Sequence, residues 1–159
     1  MKRVLFAASA SSLVACALGP EKVPNVQYTV LFPSENAALY TDNLEVYAFE
    51  NYPCRDVLRD RITGTFAKRP TVSLPSTALC ALGAGPPSIT VGFEPISLLV
   101  VGTRPNQVPS DVLIGCVEGT VGAGAFPLPV NLSVIPRTPQ TLIPVSRCPS
   151  LAAKCGQQC

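Results

Sequence analysis

Three consecutive stretches decide the fold: Ile96-Ser97-Leu98-Leu99-Val100-Val101, then Gly102-Thr103-Arg104-Pro105-Asn106-Gln107, then the apolar run from Val112 to Glu118. A continuous apolar segment, a turn rich in Gly, Pro and Asn, and a second apolar segment read as a β-hairpin. Gly119 to Gly124 forms the next connection. Beyond it Phe126, Leu128, Val130, Leu132 and Val134 alternate with other residues and fall on one face of a last long strand. That strand carries Pro127 and Pro129. Two prolines two residues apart remove backbone donors on one side only, which predicts an edge strand with the prolines turned to solvent.

Upstream of the hairpin the same reading continues. Val26, Tyr28, Val30 and Phe32 alternate with Gln27, Thr29 and Leu31, the period of a half-buried strand, and Pro33 and Ser34 end it. Leu44 to Glu50 is apolar on both faces and belongs in the middle of a sheet. Pro53 to Ile62 is the one helical stretch: Cys54, Val57, Leu58 and Ile62 share a face, Pro53 suits the first turn and Gly64 the exit. Thr71 to Leu74 and Ile89 to Phe93 read as strands around a loop holding Cys80, Gly83, Gly85, Pro86 and Pro87. Pro136, Pro139 and Pro144 then break regular structure ahead of a cysteine-bearing tail. Short strands with turn signals between them and little helix point to an all-β fold, an antiparallel β-sandwich of immunoglobulin-like or transthyretin-like type. One short helix and a disulfide-stapled C-terminal tail complete it. The spacing from Cys54 to Cys116 is close to that of an immunoglobulin inter-sheet disulfide, but the chain has no tryptophan to pack on it.

The N-terminus carries a different signal. Lys2 and Arg3 precede a small-residue and apolar run from Val4 to Val14, and Leu13-Val14-Ala15-Cys16 follows the pattern of a lipobox. The run is far short of the roughly 20 apolar residues that span a bilayer as a helix. The stretch resembles bacterial lipoprotein signal peptides, in which the chain is cut before the cysteine and that cysteine is lipidated. The resemblance implies a signal peptide over residues 1–15, lipid attachment at Cys16, a tether over 16–24, a β-sandwich over 25–136 and a Pro/Cys-rich tail over 137–159. Ala17 stands where an inner-membrane retention signal would have Asp, which by the same resemblance favours the outer membrane. Each buried lipid methylene contributes about 0.8 kcal/mol, and several chains hold a protein at the membrane without help from a basic patch. The whole arrangement looks like the uncharacterised β-sandwich lipoproteins of Gram-negative bacteria.

Cleavage before Cys16 would leave 144 residues, enough for one domain with a real core. Lys2 and Arg3 would leave with the signal, so the remaining basic and acidic residues balance at 10 each. That offers no cationic footprint for nucleic acid. Six cysteines remain after Cys16: Cys54, Cys80, Cys116, Cys148, Cys155 and Cys159. An even count in an exported chain reads as three disulfides, with fifteen possible connectivities. Placement along the chain favours Cys54 with Cys80, one tail cysteine reaching back to Cys116, and the remaining tail pair closing a small loop.

Chemistry-bearing motifs are sparse. The chain has no histidine, so it offers no Ser-His-Asp or Cys-His nucleophile pair, and there is no Cys-x-x-Cys metal signature. Gly-x-Ser-x-Gly and the phosphate- and dinucleotide-binding glycine loops are missing as well. No metal or cofactor is expected. Glu45, Glu50, Glu94 and Glu118 lie on or near strand ends, and a pair of them meeting across a cleft would give an envelope hydrolase. Lys22, Lys68 and Lys154 are the lysines a Ser-Lys dyad would use. Asp42 and Asn43 fall short of the six to eight oxygen ligands of calcium. Asn131-Leu132-Ser133 matches a glycosylation acceptor inside an expected strand. The tail sequences Arg147-Cys148-Pro149 and Cys155-Gly156-Gln157-Gln158-Cys159 would serve either as a disulfide-braced inhibitor-like loop or as a knot that staples the C-terminus. The reading that needs least is a lipid-anchored, non-catalytic structural or binding module with a protein or glycan ligand.

Overall fold

Every residue of the strand Ile96–Thr103 is buried because another layer covers each of its faces. The computed structural model describes residues 25–82, 86–92, 95–106, 108, 110–120, 127–136 and 147–159. In chain order the strands are β1 (Asn25–Leu31), β2 (Asn43–Glu50), β3 (Val72–Ser73), β4 (Thr77–Ala78), β5 (Ser88–Thr90), β6 (Ile96–Thr103), β7 (Asp111–Gly119), β8 (Leu128–Asn131) and β9 (Ser133–Val134). The helices are α1 (Glu35–Tyr40), α2 (Cys54–Thr63) and α3 (Leu151–Cys155). The protein is mostly β, with two sheets packed as a sandwich.

The larger sheet runs β3-β2-β6-β7-β9, with β4 also on β2, and the smaller runs β5-β1-β8. The expected hairpin is β6-β7, in register from Ile96 opposite Gly119 to Val101 opposite Ile114, with an irregularity after Gly102. Leu98 and Val100 join Val46, Ala48, Val26, Tyr28, Ile89 and Val130 in a core between the two sheets. Leu99 and Val101 point the other way, into a second cluster with Phe49, Ile114 and Val57 of α2. The continuous apolar run is therefore sandwiched between a sheet and a helix, and its alternate residues serve two cores.

The last strand differs from the expectation. Phe126 lies outside the described residues, and the segment does not continue as one strand. β8 runs parallel to β1, Tyr28 opposite Leu128 through Leu31 opposite Asn131, whereas the other described pairings are antiparallel. At Leu132 the chain crosses to the other sheet, where β9 pairs with Leu113 and Ile114 of β7. Val130 and Leu132 are buried, but Val134 is exposed. Gly115 makes the crossing possible: a Cβ there would lie 2.3 Å from the Asn131 carbonyl oxygen. The edge assignment stands, since β8 pairs only with β1 among the described strands; of the two prolines expected to face solvent, Pro129 is exposed, whereas Pro127 precedes the strand and is half-buried.

Helix α2 begins at Cys54 with Pro53 as its N-cap and ends at Gly64, which takes the left-handed conformation at φ 74° that a side chain would strain. Asp56 in the first turn and Arg61 in the last complement the helix dipole. Ile62, expected on the buried face, is 44% exposed; the buried positions include Val57 and Asp60. Two shorter helices accompany α2. Each follows a Pro-Ser pair, with Ser34 accepting from the Ala37 N–H and Ser150 accepting from the Ala153 N–H. Among the described residues no helix is long and apolar enough to cross a membrane.

The six cysteines pair as Cys54–Cys116, Cys80–Cys155 and Cys148–Cys159. This corrects the expected Cys54–Cys80 link and the expected reach of a tail cysteine to Cys116. The tail does close a small loop on itself, through Cys148–Cys159, and it does reach back, but to Cys80. The reason is orientation. Helix α2 lies on the outer face of the larger sheet with Cys54 over β7, while the turn bearing Cys80 follows β4 on the edge side of β2, where α3 packs.

The two poles of the domain have distinct contents. Leu128, opposite Tyr28 on β1, touches the position a Cβ on Gly119 would occupy, so the entry to β1 lies at the pole where β2 ends and β6 begins. Lys154 of α3 bonds the backbone at Leu39 and Thr41, at the start of β2. The stapled tail is thus at the other pole, about 30 Å away along the nine residues of β7.

Candidate functional site

Arg61 extends from the last turn of α2 over the larger sheet and lands between two carboxylates. Its Nη2 donates to Glu45 Oε2 at 2.9 Å, and its Nε and Nη2 donate to Asp111 Oδ2 and Oδ1 at 2.7 and 3.1 Å. The bidentate arrangement on Asp111 uses the planar fork of the guanidinium. The Tyr47 hydroxyl donates to Glu45 Oε2 at 2.7 Å, and its ring lies 5.4 Å below the guanidinium carbon. Burial alone would lower the Arg61 pKa; the hydrogen bonds and charge of Asp111, with the Tyr47 hydroxyl, outweigh it and raise it. Burial, then the hydrogen bond to Glu45, raises the Tyr47 pKa.

This brings together two carboxylates from β2 and β7, the type of pair that a hydrolase needs. Arg61 stands between them, however, with one nitrogen within 3.1 Å of both. A glycosidase pair needs the space between its carboxyls for the sugar bond and a water. Here that space holds a guanidinium, and the chemistry is that of an ion-pair clamp fastening a helix to a sheet.

A second polar cluster lies beside it. The Tyr52 hydroxyl donates to Asp60 Oδ2, the Ala67 N–H donates to the same oxygen at 2.9 Å, and Arg59 reaches Asp60 Oδ1 at 3.1 Å. The Tyr52 hydrogen bond, followed by that of Ala67, holds the Asp60 carboxyl below the usual aspartate range. The Tyr52 pKa is raised in turn, first by its hydrogen bond to Asp60. Asp60 is almost wholly buried and satisfied.

The remaining sequence candidates are dispersed. Glu118 accepts from the Cys54 N–H at 2.7 Å. Lys68 donates to the Glu50 carbonyl oxygen. Lys154 donates to two carbonyls and to Asp42 at 3.0 Å, and Asp42 also faces Arg104; its neighbours are cations rather than further oxygen ligands. Cys16, Lys22 and Glu94 lie outside the described residues. Among the described residues no three His, Cys, Asp or Glu side chains gather as metal ligands would.

A shallow cleft of about 190 Å³ opens at the pole opposite the tail, between Tyr52, Pro53, Pro95, Ile96 and Glu118. Its walls are mainly apolar, with a single carboxylate. Small-molecule sites are larger, about 300–1,000 Å³, with several convergent polar groups.

Sequence reasoning missed Arg61 and Asp111. The signal was there for Arg61: it falls seven residues after Cys54 and three or four after Leu58 and Val57, on the same helical face. For Asp111 nothing local marked it, because its partner is 50 residues away. No protein-family model, curated protein or solved structure matches this chain.

Proposed function

We propose that this chain is an exported lipoprotein of the bacterial cell envelope, held at the outer membrane by lipid on Cys16. In this reading its sandwich acts as a non-catalytic binding module for a protein or glycan. The observation that carries the reading is the fate of the cysteines. The chain has seven, and six of them pair with one another. The seventh is Cys16, the residue that a lipobox would modify. Three disulfides also support maturation in an oxidising compartment.

The polar clusters support the non-catalytic part. Arg61, Asp60 and Lys154 are each taken up by partners that tie elements together. A domain anchored ahead of Asn25 would present the stapled tail on the side away from the membrane, a scaffold with loops as its working surface.

The test is metabolic labelling with radioactive palmitate in bacteria. The full chain takes up label and loses residues 1–15; Cys16→Ser takes up none while still forming its three disulfides. Continued labelling of Cys16→Ser, or native protein that keeps Met1 and six reduced thiols, overturns the reading.

A further inference from the structure

Ser97 of β6 is only 3% exposed, yet its hydroxyl has no hydrogen-bond partner among the described residues. Every described side-chain nitrogen or oxygen that is shut off from solvent does have a partner. The Ser97 oxygen is therefore not shut off: it opens into the cleft at the pole opposite the tail, which the residue lines. Register sets Ser97 opposite Glu118 of β7, and facing Cβ atoms on paired strands lie about 5 Å apart. Ser97 has the parity of Leu99 and Val101, and Glu118 that of Ile114 and Cys116, so both point to the side of the sheet that carries α2. Glu118 is exposed. Its Oε1 accepts from the Cys54 N–H at 2.7 Å, and its Oε2 has no partner among the described residues. Arg55, the next residue of α2, turns to Asp56 instead.

The cleft thus combines a deep-set hydroxyl and an exposed carboxylate with walls made by Tyr52, Pro53, Pro95 and Ile96. Its volume of about 190 Å³ is short of a small-molecule site and suits one long side chain. The chemistry selects which one. A free carboxylate oxygen beside a hydroxyl offers acceptors to a donor that carries positive charge. The apolar walls suit methylenes. Lysine supplies both, an apolar stem that packs on such walls and an ammonium with three donors. A guanidinium prefers both oxygens of a carboxylate at once, and Cys54 already holds one of them. A lipid phosphoethanolamine would bring an ammonium too, but would set its phosphate against proline and isoleucine. Pro53 and Pro95 fix their own backbone angles, so the walls are formed before any ligand arrives.

We infer that the cleft between Ser97 and Glu118 receives a lysine side chain of a protein partner. The inference rests on the binding-module reading and narrows its ligand from protein or glycan to protein. The cleft opens at the end where the chain enters β1, and residues 16–24 extend to about 30 Å at most, which leaves a partner room to approach an anchored domain from that end.

The experiment follows amide signals of the full, oxidised, 15N-labelled chain in mild detergent during titration with three probes. These are N-acetyl-lysine methylamide, its norleucine counterpart, which keeps a four-carbon stem and lacks the ammonium, and phosphoethanolamine. The lysine probe should saturate in the millimolar range and move the signals of Ser97, Glu118 and Tyr52 but not that of Lys154. Norleucine should bind about tenfold more weakly, the loss of a charge-assisted hydrogen bond. Glu118→Gln keeps an acceptor for the Cys54 N–H and removes the charge; it should weaken the lysine probe about tenfold, and Ser97→Ala about threefold, each at an unchanged thermal midpoint. Glu35→Gln, which removes an exposed carboxylate from α1, should leave binding as it was. Absence of saturable shifts at these residues overturns the inference, as does equal binding of norleucine, undiminished binding by folded Glu118→Gln, or tighter binding of phosphoethanolamine. Lysine and norleucine are compared on the unaltered chain, so that comparison decides even where a variant fails to fold. Palmitate labelling is independent of all these outcomes, and failure here leaves the anchor reading to its own test.

Discussion

The Lys154 Nζ donates to the Leu39 carbonyl oxygen at 2.7 Å, a bond between groups 115 residues apart. The same ammonium donates to the Thr41 carbonyl oxygen at 2.5 Å and to Asp42 Oδ1 at 3.0 Å. All three donors of the lysine are used. Its α3 helix is only five residues long, too short to be stable alone. Lys154, the Cys80–Cys155 bridge and the packing of Leu151 on the main core hold it.

Replacing Lys154 with Met keeps the apolar stem and removes the donors. It should cost about 2–3 kcal/mol, the penalty for leaving buried acceptors unsatisfied. Guanidinium denaturation of the oxidised protein measures it. Deleting residues 148–159 should likewise destabilise the sandwich, because the tail is part of its packing. A deletion with wild-type stability would show that the tail is a separate appendage.

The three disulfides differ in the chain they close. Cys54–Cys116 and Cys80–Cys155 span 62 and 75 residues, and Cys148–Cys159 spans 11. On the chain-entropy argument each long-range bridge contributes about 4 kcal/mol and the short one about 3 kcal/mol. Paired Cys→Ser variants should follow that order in denaturant midpoint. Peptide mapping without reduction checks the connectivity itself, and a Cys54–Cys80 peptide would refute it.

Arg61→Met would leave Glu45 and Asp111 facing one another without their shared cation. Arg61 and Asp111 are less than one-fifth exposed, so solvent relieves only part of the loss. Removing one partner of a buried pair costs about 3–5 kcal/mol; with this exposure about 2–4 kcal/mol is expected. The double variant Arg61→Met with Asp111→Asn should recover part of it. A double-mutant cycle returning no coupling would show that the clamp contributes nothing net.

The Asp60 carboxyl is held below its ordinary value, first by Tyr52. A depressed folded-state pKa stabilises the fold above the unfolded value, about 3.9 for aspartate. That contribution is lost as pH falls through the lower folded value. Stability should therefore decline on the acid side, beginning near pH 4. Asp60→Asn should be less stable at neutral pH and show a flatter acid limb. Denaturant midpoints measured between pH 2.5 and pH 7 compare the two proteins, and parallel acid limbs would remove Asp60 from the account.

What the sequence determined by itself is local. Apolar alternation and turn residues located β1, β2, β6 and β7 within a residue or two, and Pro53 and Gly64 bounded α2, because these signals act through steric limits on neighbouring backbone angles. The even set of six cysteines after Cys16 announced three disulfides. Which cysteines meet was left to the tertiary structure, since pairing depends on which face of the larger sheet receives α2 and which edge receives α3. The same holds for the passage of the chain between sheets at Leu132, permitted by close approach at Gly115, and for the Arg61 clamp. Both join residues far apart in the chain, whose proximity no window of sequence encodes. Ser97 and Glu118 were likewise each in view on β6 and β7. Only strand register set them opposite one another in the cleft.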